Sequence, residues 1–237
     1  MSSVYLVRHG QAGPRYSYDS LSQLGQRQAS LLGEHFAAQR MQFKAIYSGA
    51  LRRQQETALA AWQASREAGL AQPEPIIDPG WNEFDLDQVY KELAPILNAS
   101  DPQFRQDYEE MLRLAADDSS PIHRTWSSCD VAIVRAWVEG RHPSREPWRA
   151  FQERIGSAWK GLRQHGSGEA VAVFTSATPI AVGVGMSLGV VDGTIWKLAG
   201  VMYNTAISSL RIKDGEATLF SFNSVPHLKN AELRTFR

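Results

Sequence analysis

The sequence predicts an α/β fold, built on a mostly parallel sheet and interrupted by a long helical insertion. Near both ends of the chain, short apolar runs typical of strands alternate with segments of helical periodicity. Between residues 86 and 144 no convincing strand pattern appears, and four prolines divide the segment into short amphipathic pieces. We therefore expect residues 1–85 and 145–237 to form one α/β core, with residues 86–144 as a helical cap within the same domain.

The first half of the chain contains two strand–helix units. Residues 4–7 form an apolar run that ends before an Arg-His-Gly tripeptide, and a helical pattern with two possible N-caps follows. These caps are Ser20, with Gln23 placed to complete a capping box, and Ser22. Ala45–Ser48 is the second expected strand, and a second helical pattern follows it. Strands that alternate with helices over short connections favour parallel pairing.

The second half of the chain combines a strong helix, an uncharged segment and a hairpin. One helical stripe is fully apolar and is expected to lie in the core; it consists of Trp148, Phe151, Ile155, Trp159 and Leu162. Residues 170–191 carry no charge, but one proline and three glycines within them favour a buried strand and a small-residue helix over a membrane span. Asp214-Gly215 between two apolar runs predicts a tight hairpin.

Composition and charge argue against several classes of protein. The chain has 237 residues, 43% of them hydrophobic and 21% charged, which is ordinary for a globular protein. Twenty-five basic residues balance twenty-five acidic ones, which argues against non-specific nucleic-acid binding through a net positive field. The single cysteine, Cys129, excludes an internal disulfide framework and multi-cysteine metal sites. No secretory signal is visible, so we expect a reducing, cytoplasmic setting without a membrane partner.

Two groups of basic residues follow predicted strands. The Arg-His-Gly tripeptide at residues 8–10 comes directly after the first, where ligands of open α/β sheets bind. Residues 48–58 follow the second strand, and Arg52 and Arg53 stand at the start of its helix, where the helix dipole disfavours cations. A bound anion would reverse that penalty, because helix N-termini and arginine side chains both bind phosphate. The alternative is that the arginines are solvated surface charges and that the histidine is packed in the core.

These two groups resemble the signatures of the histidine phosphatase superfamily, also called the phosphoglycerate mutase-like family. The first signature is a strand that ends in Arg-His-Gly, as residues 8–10 do. The second is Ser-x-x-Leu-x-Arg-x-x-x-Thr-Ala, which matches residues 48–58 and selects Arg53, rather than the arginine before it, as the pocket arginine. The resemblance spans residues 4–83 and 148–228 and implies a three-layer α/β/α fold.

Further parts of the resemblance add candidate residues. Residues 21–29 are similar to the family's helix-opening segment, Leu-Thr-x-x-Gly-x-x-Gln-Ala. Glu83 stands where the family places its acid-bearing loop, with Asp85 and Asp87 nearby as rival acids. The segment around His227 resembles a common terminal segment of the family.

The resemblance implies a phosphohistidine mechanism. His9 would attack a phosphoryl group in line, while Arg8 and Arg53 bind its non-bridging oxygens. Glu83 would protonate the leaving oxygen and then activate water against the phosphohistidine. Gln11 is a further candidate for phosphate binding, and no motif requires a metal or an organic cofactor.

One departure from the family pattern affects the expected activity. The family's fourth strand normally ends in Ser-His-Gly, which supplies a second pocket histidine, and here Ser176 occupies that place. Serine donates one neutral hydrogen bond and cannot carry a positive charge. An alternative role for Ser176 is to cap the helix that begins near Pro179. His227 is the first candidate to replace the missing histidine, and the other histidines are expected to be structural or exposed.

The expected function is metal-independent hydrolysis of a small phosphate monoester through a phosphohistidine on His9. Turnover is expected to be weak because the second histidine is missing. The main alternative is a phospholigand-binding pseudoenzyme of the same fold with little turnover, and a third is an interaction module built on the cap. A mutase activity matches less well, because the residues around Glu83 and after Arg-His-Gly differ from the extended motif of the cofactor-dependent mutases. The sequence leaves the substrate and the oligomeric state open, a homodimer included.

Overall fold

A mixed sheet organises the larger part of the molecule. The computed structural model describes residues 2–14, 17–117, 119–162, 165–214 and 216–236. Within them the strands are β1 (Ser2–Arg8), β2 (Ala45–Ser48), β3 (Pro75–Ile77), β4 (Ala170–Thr175), β5 (Ile207–Lys213) and β6 (Glu216–Ser224). Their order across the sheet is β3-β2-β4-β1-β5-β6. The strands from β3 to β1 are parallel, and β5 and β6 are antiparallel to their neighbours. The prediction of an α/β fold with a mostly parallel sheet is confirmed.

Helices connect most of the strands. In the described residues they are α1 (Gln23–Ala38), α2 (Arg52–Glu67), α3 (Leu86–Ser100), α4 (Pro102–Ala115), α5 (Ser128–Glu139), α6 (Trp148–Leu162), α7 (Ala177–Leu188) and α8 (Asp192–Ala199). Short 3-10 turns lie at Pro79–Trp81, Pro121–Arg124 and Ala231–Leu233.

Helices pack on both faces of the sheet, because successive strand residues point to opposite sides. One cluster joins the sheet to α1 and α2; its buried members are Val7, Leu32, Phe36, Phe43, Ile46, Ala58, Ala61, Ala172, Phe174 and Ile207. On the opposite side, a Cβ added to Gly183 of α7 would lie 3.5 Å from Leu6 of β1 and 3.6 Å from the Trp159 ring of α6. Leu6 and Val7 are adjacent in sequence, so the sheet lies between these two layers of helices.

The start of α1 shows which of the two candidate serines acts as its cap. Ser22 Oγ accepts the backbone N–H of Gly25 at 3.0 Å. Ser20 Oγ instead donates to the carbonyl of Ser17 at 3.0 Å, within the preceding turn. Of the two possible caps, Ser20 with its capping box is therefore excluded, and Ser22 satisfies the exposed amide at the helix start.

The predictions for the second half of the chain hold. The five residues of the apolar stripe lie on α6 and are each at most 3% exposed. The uncharged segment folds as β4 and α7, and within the described residues every helix is too short or too polar to cross a bilayer. β5 and β6 form the expected hairpin, in which Asp214 has a positive φ of 52°. Gly215 lies outside the described residues.

Two short elements had no counterpart in the sequence patterns. β3 has three residues, and Ile76 and Ile77 are each 53% exposed, so this edge strand shows no alternation of buried and exposed positions. α8 has eight residues and a single buried one, Ile195. Neither segment is long enough to display the periodicity on which sequence patterns depend.

The chain divides into two compact units. The first comprises Met1–Gly13, Ser17–Glu83 and Glu153–Arg237 and contains the sheet. The second comprises Pro14–Tyr16 and Phe84–Gln152 and contains α3, α4 and α5, with no strand among its described residues.

The second unit has an aromatic core of its own. In it Phe84 stacks on Trp137 with 4.4 Å between the ring centroids. The buried Asp130 accepts the hydroxyl of Tyr90 at 2.7 Å and forms a capping box with Ser127 at the start of α5. Every polar atom named here is paired, as a buried carboxylate requires.

Candidate active site

The backbone of His9 is fixed on both sides at the end of β1. Its N–H donates to the carbonyl of Thr175, the last residue of β4, at 2.8 Å. Its carbonyl accepts the N–H of Thr205 and the side-chain amide of Asn204, each at 3.2 Å. Because β1 and β4 are parallel neighbours, these bonds hold His9 at the carboxyl edge of the sheet, where ligands of α/β sheets bind.

The imidazole of His9 is buried and neutral. Nδ1 lies 2.8 Å from the carbonyl oxygen of Gly10. A carbonyl can only accept, so Nδ1 carries the proton and Nε2 carries the lone pair. Burial, and then the charges of Arg53 and Arg8, hold the pKa of His9 well below its ordinary value. At neutral pH the ring therefore presents an uncharged nitrogen, which is the nucleophilic form.

The two arginines beside His9 keep unpaired donors. Arg53 is 6% exposed, whereas the side chain of Arg52 is 70% exposed and pairs with Glu56 at 2.6 Å. Arg8 Nη1 donates to the carbonyl of Met202. The Nε atoms of Arg8 and Arg53 are buried and have no hydrogen-bond partner within the described residues. Burial lowers the pKa of Arg8, and the charge of Arg53 acts in the same direction. Two buried guanidinium groups that repel each other form a site that an anion would stabilise.

Tyr18 and Asp19 belong to this site, and no sequence motif indicated them. The Arg53 guanidinium lies 4.9 Å from the centre of the Tyr18 ring, and the rings of Tyr18 and His9 are 6.5 Å apart, edge to face. Tyr18 also forms a side-chain hydrogen bond with Arg8. Asp19 accepts Arg53 Nη1 at 2.8 Å and the N–H of Arg52 at 3.2 Å, so its carboxylate also caps α2.

Two residues of the sequence motifs, Thr57 and Gly25, hold the loop that carries His9 against α2 and α1. The N–H of Gly10 donates to Thr57 Oγ1 at 3.0 Å, and Thr57 Oγ1 donates to the carbonyl of Arg53 at 2.6 Å. A Cβ on Gly25 would lie 2.1 Å from the carbonyl oxygen of Gln11, so α1 approaches this loop backbone to backbone. The threonine connects the His9 loop to α2, and the glycine allows α1 to pack against the same loop.

Glu83 is held at the N-terminus of α7. Its Oε2 accepts the N–H of Thr178 at 3.1 Å, a contact that the helix dipole favours. Its charge also acts to raise the pKa of Arg8, so the two groups are close. Of the rival acids, Asp85 accepts the N–H of Gln88 as the cap of α3, and Asp87 is exposed on the first turn of that helix.

Ser176 does not cap α7 with its side chain. It stands at the N-cap position and is 1% exposed, but its hydroxyl makes no capping bond. Ser176 Oγ instead accepts Nε2 of the fully buried Gln54 at 2.8 Å. After Tyr18 and Asp19, Gln54 is a third residue that sequence patterns did not indicate, because it lies 122 residues from Ser176 in the sequence.

His227 and Gln11 make supporting contacts. His227 Nε2 lies 2.8 Å from Thr205 Oγ1, and its ring centre is 6.1 Å from that of His35. The backbone N–H of Thr205 donates to the carbonyl of His9, so His227 supports the His9 loop indirectly, through Thr205. The carboxamide oxygen of Gln11 accepts the hydroxyl of Ser22 at 2.8 Å. Within the described residues, no three His, Cys, Asp or Glu side chains lie close enough to hold a metal ion.

A family comparison matches nearly the whole chain. Residues 4–116 and 119–225 match the histidine phosphatase superfamily (branch 1). The chain belongs to the histidine phosphatase superfamily. Membership in this superfamily supports a phosphatase-type function. A search among curated proteins found no match.

Solved structures share the fold of this histidine phosphatase superfamily member. YhfR of Bacillus stearothermophilus has a TM-score of 0.65 and 19% identity, over 97% of this chain and 100% of that chain. The phosphoglycerate mutase of Bacillus anthracis has a TM-score of 0.59 and 18% identity, over 96% and 95%. The phosphoserine phosphatase of Entamoeba histolytica, in complex with 3-phosphoglyceric acid, has a TM-score of 0.56 and 20% identity, over 96% and 100%. At these identities the likeness shows the fold.

Proposed function

We propose that this protein hydrolyses a small phosphate monoester through a phosphohistidine on His9. The observation that carries the proposal is the buried imidazole of His9, whose Nδ1 lies 2.8 Å from the carbonyl oxygen of Gly10, which leaves the lone pair on Nε2. The buried arginines beside it keep unpaired Nε donors. Together they offer a nucleophile and an anion-binding environment in one place.

The first chemical step forms a bond from Nε2 of His9 to phosphorus. The bond from phosphorus to the ester oxygen breaks, and Glu83, as a carboxylic acid, gives its proton to the leaving oxygen. Arg8 and Arg53 balance the charge on the non-bridging oxygens, which is the main requirement of phosphoryl transfer. The product alcohol departs and leaves the phosphoryl group on His9.

The second step returns the enzyme to its starting state. The Glu83 carboxylate takes a proton from a water molecule as the water oxygen attacks phosphorus, and the bond from phosphorus to Nε2 breaks. Inorganic phosphate leaves and the imidazole is again neutral. The structural neighbours include a phosphoserine phosphatase complexed with 3-phosphoglyceric acid, which supports a small phosphorylated substrate for this chain as well.

The test combines turnover with trapping of the intermediate. We expect hydrolysis of 4-nitrophenyl phosphate by the wild type and a loss of at least about a hundredfold in His9→Ala, because the nucleophile is removed. Rapid quenching in base followed by mass spectrometry should place the phosphoryl group on His9. Full activity in His9→Ala, or an adduct on another residue, would refute the mechanism.

The neutral hydroxyl of Ser176 favours one second candidate, a phospholigand-binding protein with little turnover. Its hydroxyl supplies one uncharged hydrogen bond, whereas a histidine would supply a charged one. Binding of inorganic phosphate that depends on Arg53, without turnover that depends on His9, would support this candidate over the first.

A further inference from the structure

We infer that Gln54 is a positioning residue that directs the hydroxyl proton of Ser176 toward the phosphoryl group. The inference rests on the proposed function and extends it to Gln54, which stands at an unspecified position of the second signature. It depends on the orientation of one buried carboxamide and on the hydrogen-bonding capacity of one hydroxyl.

The carboxamide of Gln54 has a single satisfactory orientation. Its Oε1 accepts the backbone N–H of Leu51 at 3.3 Å. Its Nε2 lies 2.8 Å from Ser176 Oγ and 3.3 Å from the carbonyl oxygen of Trp81. Rotating the amide by half a turn would put an oxygen against a carbonyl and a nitrogen against an N–H, so Nε2 must be the donor to Ser176.

The surroundings are shaped to hold this glutamine. Gln54 is fully buried, and a Cβ placed on Gly49 would lie 1.9 Å from Gln54 Oε1. Real Cβ atoms do not approach an oxygen so closely, so only glycine at position 49 leaves room for the carboxamide. A buried polar group with all its bonds made has a fixed geometry, which is what positioning requires.

The bond from Gln54 leaves the proton of Ser176 available. A serine hydroxyl has one proton and two lone pairs, and one lone pair is occupied by Gln54 Nε2. Within the described residues Ser176 Oγ has no other partner, and its side chain makes no bond to the first turn of α7. The Ser176 hydroxyl can therefore donate its proton, and in the proposed reaction the acceptor is an oxygen of the bound phosphoryl group.

Ser176 directly follows β4, whose last residue bonds the backbone of the nucleophile. The residue before it, Thr175, accepts the N–H of His9 at 2.8 Å, and the residue two positions after it, Thr178, donates to Glu83 at 3.1 Å. Ser176 thus lies in the chain between one backbone group that bonds the His9 backbone and another that bonds the Glu83 carboxylate. A neutral hydrogen bond gained in the transition state corresponds to a rate factor of about two to ten.

A double-mutant cycle tests the pairing. The variants are Gln54→Met, Ser176→Ala and the two combined. Gln55→Met on the same helix is the matched control, because among the described residues the Gln55 amide bonds only the carbonyl of Ala50, at 2.7 Å. We expect kcat for 4-nitrophenyl phosphate to fall about two- to tenfold in each single variant, with little change in KM. The double variant should be no slower than Ser176→Ala, because Gln54 acts only through that hydroxyl. Gln55→Met should keep the wild-type kcat.

The outcomes separate this inference from the proposed function. If the wild type turns over but the two losses multiply in the double variant, Gln54 acts independently of Ser176 and the inference is overturned while the phosphatase stands. If no turnover that depends on His9 is found, the proposed function fails. The affinity of the same variants for inorganic phosphate, measured by calorimetry, then decides the inference: non-multiplying losses support it, and multiplying losses or none overturn it.

Discussion

The contrast between Arg52 and Arg53 illustrates how one position along a helix start changes a side chain's environment. Arg53 is buried beside His9 and Tyr18, and Arg52 points to solvent and pairs with Glu56. A hydrogen bond between charged groups contributes about 1.5–3 kcal/mol, so Arg53→Ala should weaken binding of inorganic phosphate about ten- to a hundredfold. Arg52→Ala should change it less than about twofold, because exposed ion pairs contribute little. Calorimetric titration at one fixed salt concentration checks both values, and a larger loss in Arg52→Ala would show that the wrong arginine has been assigned.

The environment of Ser176 also determines what a histidine there would do. Ser176 Oγ already lies 2.8 Å from Gln54 Nε2, so an imidazole in its place would overlap the carboxamide. We expect Ser176→His alone to lose kcat and stability, since overpacking a buried site typically costs about 1–3 kcal/mol. Ser176→His combined with Gln54→Ala should recover the stability and turn over faster than Gln54→Ala alone, because a charged donor is then accommodated. Steady-state kinetics and thermal melts of the three variants are the measurement, and a single Ser176→His variant faster than wild type would contradict the steric argument.

At the scale of elements, α1 positions the His9 loop through its backbone rather than through side chains. A Cβ on Gly25 would lie 2.1 Å from the carbonyl of Gln11. We expect Gly25→Ala to lower the free energy of unfolding by about 1–3 kcal/mol and to reduce kcat, because the loop that carries His9 must move. The control is Gly161→Ala in α6, where the added methyl would meet nothing within 4 Å, and where about 0.4–1 kcal/mol of stabilisation is expected. Urea denaturation and kinetics on both variants check this, and equal effects would exclude the proposed backbone contact as the cause.

The elements also show how far the sequence can be interpreted. α6 was predictable because its five apolar residues recur at helical spacing, and the β5–β6 hairpin because an Asp-Gly pair separates two apolar runs. β3 was not, because three residues carry no period. At the site, local motifs indicated His9, which the structure places in a buried position close to the charges of Arg53 and Arg8. They could not indicate Gln54, whose importance depends on a contact with a residue 122 positions away.

At the scale of the whole molecule, histidines that are buried without a proton make the stability depend on pH, because the unfolded chain binds protons at them more readily. Besides His9, the first unit contains His227, which is 6% exposed and lies beside His35. Burial, and the charge of His35, lower the pKa of His227 from 6.5 to about 3, and burial also lowers the pKa of His35. Between those two pH values the unfolded chain binds a proton at His227 that the folded chain does not bind. Stability therefore rises with pH across this window and is lost as the pH falls below about 6.5.

This linkage leads to a measurable difference between wild type and His227→Gln. Each pH unit within the window costs up to about 1.4 kcal/mol for one fully shifted histidine, so His227 should account for about 2 kcal/mol of the stability lost between pH 6.5 and 4.5. Glutamine does not titrate, and its amide can still donate to Thr205 Oγ1, which His227 Nε2 contacts at 2.8 Å. Urea unfolding of the wild type, His227→Gln and the control His142→Gln at both pH values measures the effect. The His227 variant should lose about 2 kcal/mol less than the other two proteins on acidification. An equal loss in all three would mean that His227 is protonated without cost in the folded protein, and that acid lability originates elsewhere in the chain.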